Sequence, residues 1–153
     1  MEYRYAEIFI DACSTVLDSF SSRRITSADI MTPDNGSGRS ICVSMGMMGG
    51  VDGQVRMSMD AETGITLASE MLGGMEITDV DELVTSAVCE LCNMIMGNAC
   101  SCIGADDTSV DITPPVIVEG NVSPLMDGAP DYRILMLLDS ADSIDFQVAM
   151  ESA

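Results

Sequence analysis

The chain has 153 residues and carries 25 Asp and Glu against 6 basic residues, a formal charge of −19. The basic residues are all Arg (Arg4, Arg23, Arg24, Arg39, Arg56 and Arg133), with no Lys, His or Trp. Such a chain gains no counterion-release free energy on nucleic acid and is repelled by anionic membrane surfaces, and without His or Lys it has no imidazole base, Schiff-base amine or P-loop lysine.

Residues 3–20 read as an amphipathic helix, with Tyr5, Phe9, Ala12, Val16 and Phe20 recurring at steps of three and four. Ser21 to Arg39 reads as irregular, around a Thr32-Pro33-Asp34-Asn35-Gly36-Ser37-Gly38 surface loop. Ile41, Val43, Met45 and Met47 alternate with smaller or polar residues, and so do Val55, Met57 and Met59. With Gly49, Gly50, Asp52 and Gly53 between them, the two runs predict a β-hairpin. The glycines lack the Gly-Lys-Ser/Thr ending of a phosphate loop and lead into a strand, so they serve a turn.

Asp60 is placed to N-cap a short helix that runs to Met71 or Leu72 and stops at Gly73-Gly74. Asp79, with Glu82 three residues on, forms a capping box that predicts a long helix over residues 80–103. An acidic, Pro-containing connection leads to three strand candidates, Pro115–Glu119, Tyr132–Leu138 and Ser143–Met150. The last two flank Asp139-Ser140-Ala141-Asp142 and form a predicted hairpin.

This order of elements predicts an α/β (α+β) fold of two layers, helices packed on a mostly antiparallel β-sheet. A hydrophobic fraction of 47% supports a folded chain, and the length predicts one domain over residues 1–153. Fourteen Met against three Tyr and three Phe predict a core of soft, adaptable side chains. The N-terminus has no basic-then-apolar signal pattern, and no apolar run approaches the roughly 20 residues that span a bilayer. The expected location is the cytoplasm, with all cysteines reduced.

The long helix carries the chemistry. At 100° per residue, Val84, Val88, Leu91, Cys92, Ile95, Ala99 and Cys102 share a broad arc, the predicted core face. Ser86, Glu90, Asn93 and Gly97 fall in a separate, narrow arc, with Glu90 and Asn93 one turn apart. A carboxylate beside a carboxamide on a helix also describes ordinary solvated surface. Against that, Asn is a mediocre helix former, and Gly97 costs roughly 1 kcal/mol relative to Ala in mid-helix. Gly97 flattens the end of the stripe, where another protein could approach the backbone.

The run Ser86-Ala-Val-Cys-Glu90-Leu-Cys-Asn93-Met-Ile-Met-Gly97 resembles the signature helix of the CheX/CheC family of chemotaxis phosphatases. That motif is Asp or Ser, three residues, Glu, two residues, Asn, and Pro after about 22 more. Ser86, Glu90 and Asn93 match; Val116 stands at the fourth position, directly after Pro114 and Pro115. The aromatic N-terminal helix, the Gly49–Gln54 turn and the strands after the long helix are similar too, so the resemblance spans nearly the whole chain. Glu7 is followed three residues on by Ile10 rather than Asn, so the first helix has no second copy of the motif, and the chain looks like CheX rather than CheC.

The resemblance implies a CheC-like fold and a phosphatase acting on the aspartyl phosphate of a CheY-type response regulator. Asn93 would position the attacking water, Glu90 would anchor the partner through its active-site Lys, and Ser86 and Gly97 would lie in the contact. It implies no cofactor or metal of the chain's own, with Mg²⁺ supplied by the regulator. It also implies a homodimer, in which the C-terminal strands, alternating like an edge that needs covering, would meet.

Two other readings compete. The long helix could be a non-catalytic docking face for a flagellar-switch or signalling partner. Cys89-x-x-Cys92 and Cys100-x-Cys102 could hold zinc or an iron–sulfur cluster, but a helix spreads those thiols along roughly 20 Å of axis rather than around a point. Asp106, Asp107 and Asp111 lack the Gly and terminal Glu of a Ca²⁺ loop and read as solvent-facing charge.

Overall fold

Apolar residues at every second position build one wall of the core. Ile41, Val43, Met45 and Met47 in β2 (Ile41–Gly49) and Val55, Met57 and Met59 in β3 (Gly53–Met59) are buried. So are Tyr132, Ile134, Met136 and Leu138 in β6 (Tyr132–Leu138), and Ile144, Phe146 and Val148 in β7 (Ser143–Met150). The computed structural model describes residues 3, 5–32, 41–103, 110–118, 131–139 and 142–150. Within these, β1 (Ile25–Met31), β4 (Val110–Ile112) and β5 (Val116–Ile117) complete a seven-stranded antiparallel sheet. Its order is β1-β6-β7-β3-β2-β4, with β5 also pairing β2.

Three helices supply the other layer: α1 (Ala6–Phe20), α2 (Ala61–Met71) and α3 (Glu82–Ile103). The central one is α3, which packs against α1, α2, β2, β4 and β5. It is long and apolar enough to cross a membrane by length and composition, yet half of that stretch is buried inside the fold. Its apolarity is accounted for by packing on several sides. The two-layer, mostly antiparallel architecture expected from the sequence is the one observed.

Local signals set the helix ends. Asp60 accepts from Thr63 N–H at 2.8 Å as the N-cap of α2, and Gly73 and Gly74, with φ of 76° and 93°, end it in the left-handed region. Gly74 N–H reaches back to Ser69 O at 2.8 Å, satisfying a terminal carbonyl. The cap of α3 is Asp81, not Asp79: its Oδ1 accepts from Leu83 N–H at 3.0 Å and Val84 N–H at 3.2 Å. An N-cap must stand two and three residues before the amides it satisfies, which Asp79 does not. The first helix starts at Ala6 rather than residue 3, because Tyr5 sits at φ 67° and turns the chain. Tyr3 instead packs its ring edge-on to Tyr132, with centroids 5.6 Å apart.

Two strands correct the sequence reading. The stretch read as irregular from Ser21 to Arg39 contains β1, which pairs antiparallel with β6. Its Ile-Thr-Ser-Ala-Asp-Ile-Met sequence has no clean alternation, and among the described residues β1 is an edge strand with one neighbour. The strand expected over Pro115–Glu119 is only Val116–Ile117 among the described residues, and β4 precedes it. The C-terminal hairpin is internal: β6 pairs with β1 and β7, and β7 with β6 and β3, so neither is an exposed edge. Residues 33–38 of the expected loop, Asp106, Asp107, and Ser140-Ala141 in the hairpin turn lie outside the described residues.

Ion pairs tie the periphery together. Arg23 bridges Glu70 of α2 at 3.1 Å and Asp142 beside β7 at 3.4 Å, and Ser21 O–H donates to the same Glu70 at 2.9 Å. On the sheet face away from the helices, Arg133 holds the buried Asp145 through Nε at 2.7 Å and Nη2 at 2.6 Å.

The core also holds protonated thiols. Burial pushes Cys13 from the ordinary 9.0 up to about 12, and raises Cys92 as well, by burial first and then by its neighbours Cys89, Cys42 and Cys13. The folded state therefore keeps protons that the unfolded chain releases above pH 9.0, so this contribution is complete below that pH and is lost as pH rises towards about 12. Urea midpoints should fall across this window, and Cys13→Ala should make the fall shallower. An unchanged slope in the variant would contradict the assignment.

Candidate functional site

The stripe on α3 faces a groove. Thr85, Ser86, Cys89, Glu90 and Asn93 form one wall, while Ile112, Thr113, Pro114, Pro115 and Ile117 form the other. The space between them is open to solvent, with a volume of about 650 Å³. The structure thus brings Ser86, Glu90 and Asn93 together on one side and sets the β4–β5 connection opposite them. Gly97 continues the stripe one turn beyond the groove lining, and a Cβ added there meets nothing within 4 Å. Its carbonyl accepts from Ser101 O–H at 3.0 Å.

The helix wall follows from the core face of α3. Val84, Val88, Leu91, Cys92, Ile95 and Ala99 are buried as the wheel requires, which turns Ser86 and Glu90 to solvent and leaves Asn93 half-buried. The core face is wider than expected: Met96 and Cys100 are also buried, whereas Cys102, placed on that face by the wheel, is exposed. Cys102 sits in the last turn of the helix, where angle alone does not bring a neighbour.

Opposite, β4 and β5 are two parts of one edge. Met47 pairs with Ile112 and Ser44 with Val116, so three steps along β2 face four along the edge. The extra residue makes a bulge at Thr113-Pro114-Pro115, where two consecutive residues have no N–H to donate to a ladder. Sequence reasoning reached the two prolines but not Thr113, Ile112, Ile117 or Thr85. A Pro-Pro pair next to alternating Val and Ile was the available signal for the bulge; its position over α3 depends on β2, distant in sequence.

Electrostatically the groove is simple. Among the described residues Glu90 is the one charged residue in its lining, and no described side chain pairs with Glu90 or hydrogen-bonds to Asn93. The donor set of one carboxylate, a carboxamide and hydroxyls does not make a dedicated Mg²⁺ cage, and among the described residues no three His, Cys, Asp or Glu converge on a point. Three of the cysteines, Cys13, Cys92 and Cys100, belong to the core. Cys13 and Cys92 are buried with raised thiols, and burial raises Cys89 too.

A three-helix layer on an antiparallel sheet, with a Glu/Asn groove on its central helix, defines a CheC-like protein. A solved CheC-like superfamily protein from Shewanella sp. PV-4 superposes with a TM-score of 0.80, covering 99% of this chain and 100% of that one at 22% identity, which establishes the fold. At 27% identity, the chain also matches a chain from the CheX–CheY–BeF3–Mg²⁺ complex of Borrelia burgdorferi, with a TM-score of 0.77 and 99% and 100% coverage. The Thermotoga maritima CheY-P phosphatase CheX is 31% identical over 113 residues, 74% of this chain and 73% of that protein. Residues 41–129 match the model of the chemotaxis phosphatase CheX family. This chain belongs to that family, as the α3 motif suggested.

Native-state alkylation checks the cysteine assignment. Exposed Cys102 should react first and Cys89 more slowly, with Cys13 and Cys92 modified only on unfolding. Mass mapping that found Cys13 or Cys92 labelled before Cys102 would overturn it.

Proposed function

We propose that this protein is a phosphatase that hydrolyses the aspartyl phosphate of a CheY-type response regulator docked across the α3 groove. One observation carries the reading. A half-buried carboxamide, Asn93, and a carboxylate one turn away, Glu90, neither with a side-chain partner among the described residues, share an open groove of about 650 Å³. A half-buried polar group without a hydrogen bond costs free energy unless water or a ligand completes it. At Asn93 that ligand is the attacking water.

Phosphoryl transfer is mainly positioning and charge stabilisation, so the residue needed is one that orients water, not a strong base. A carboxamide donates and accepts at once, and in this role Asn93 holds the water by its oxygen and faces the phosphoryl group with its NH₂. Glu90 has a different task. A carboxylate close to a phosphoryl group is repelled unless a cation lies between them, and at 4 Å with an effective dielectric of about 20 that interaction is worth about 4 kcal/mol. The partner's active-site Lys supplies the cation, and Glu90 thereby anchors the complex. Ser86 and Gly97 border the contact along the same stripe. The regulator brings Mg²⁺, consistent with a groove that has one carboxylate among its described residues. The six free cysteines support a reducing location, the cytoplasm.

Asn93→Ala should lower dephosphorylation of the regulator about 100-fold or more while binding survives. Near-wild-type turnover by this variant would remove Asn93 from the mechanism. Glu90→Ala should weaken the complex by about tenfold or more, read by titration against the regulator; unchanged affinity would refute the anchor.

A further inference from the structure

The groove needs its second wall at a fixed place, and the sequence gives that wall a problem. In a regular antiparallel pair, a residue exchanges two hydrogen bonds with its partner, one through N–H and one through C=O. Val118 N–H still donates to Cys42 O at 2.9 Å. Four positions on, where the same register would bring the edge to Gly46, stands Pro114, which like Pro115 has no N–H, so the ladder cannot continue in register.

Thr113 repairs it. Its N–H donates to Gly46 O at 3.0 Å, and its Oγ1 accepts from Gly46 N–H at 2.8 Å. The hydroxyl stands where a strand carbonyl would accept. The chain is thus held to β2 at Thr113 and swings out over Pro114 and Pro115. Gly46 is fitted to this contact: a Cβ there would lie 3.3 Å from both Thr113 Cγ2 and Oγ1. Thr113 itself lines the groove opposite Glu90 and Asn93.

We propose that Thr113 is a positioning residue of the phosphatase site, whose hydroxyl, clamped on Gly46, sets where the Pro114-Pro115 wall stands relative to Asn93. Rigid prolines transmit the position of Thr113 to the wall, so the clamp fixes how a docked regulator seats its phosphoryl group against the Asn93 water. The inference rests on the phosphatase reading and adds a residue that touches neither water nor phosphoryl group.

The test uses the full chain and three variants. Thr113→Val keeps the shape and loses the acceptor; Thr113→Ser keeps the hydroxyl; Gly46→Ala pushes on the clamp without altering it chemically. Turnover of phosphorylated regulator gives kcat and KM, and titration with the regulator carrying beryllofluoride and Mg²⁺ gives Kd. Thr113→Val should lower kcat about tenfold with KM and Kd within about threefold of wild type. Thr113→Ser should stay near wild type, and Gly46→Ala should fall between them. A purely structural Thr113 would shift the melting temperature and leave kcat of the folded fraction unchanged, which would overturn the proposal. So would a Thr113→Ser variant as slow as Thr113→Val. If Thr113→Val does not fold, an unimpaired kcat in Gly46→Ala overturns it, and a lowered kcat at unchanged Kd supports it. An inactive wild type would sink the phosphatase reading and this inference together, whereas an active wild type with unimpaired variants would sink this inference alone.

Discussion

The burial of α3 is the constraint from which the site follows. The helix is packed against α1, α2 and the β2 end of the sheet, and its core face includes residues as large as Leu91, Ile95 and Met96 with no exposure at all. Burying a side chain of that size is worth roughly 1.5–3 kcal/mol, so rotating the helix to expose any of them is costly. The rotational setting of α3 is therefore fixed by its apolar residues, and the polar stripe inherits that setting. Glu90 and Asn93 face the groove because Leu91 and Cys92 cannot.

How much of this could be read from the sequence depended on how local each determinant is. The strands β2, β3, β6 and β7 alternate cleanly because each has one face on the core, and their limits were legible almost to the residue. The Glu/Asn pair was equally legible, since helical spacing alone places it on one face. What escaped was set from afar. β1 is a strand because β6 lies beside it, and Ile25-Thr26-Ser27-Ala28 has little intrinsic pattern to show that. Met96 and Cys100 are buried under neighbours that a helical wheel does not contain. The far wall of the groove depended on a side-chain hydrogen bond across 67 residues of sequence, from Gly46 to Thr113.

The distribution of cations is as informative as their scarcity. Of the six Arg residues, Arg23 joins α2 to the β7 end of the sheet, Arg133 holds a buried carboxylate, and Arg56 is itself buried. None of these three lines the groove. Arg23 and Arg133 hold elements together, and among its described residues the groove offers one carboxylate and neutral dipoles. On the proposed reading, cationic stabilisation of a phosphoryl group in this groove comes with the partner. The shortage of Lys and Arg is thus compatible with that reading, which divides the reacting charges between two proteins.

The double-proline bulge has a consequence beyond the groove. A sheet that ends in an open strand offers a row of free amides and carbonyls to any other extended chain, which invites aggregation. Here the β2 side of the sheet is closed by an edge of three paired residues, a two-proline interruption and two more. An incoming strand could find no continuous register along it. The same kink that walls the groove therefore breaks up the edge of the sheet. Restoring an N–H at 114 or 115 would do more than move a wall: it would reopen an edge for self-association. The wall of the groove and the protection of the sheet edge are in this way written into the same segment.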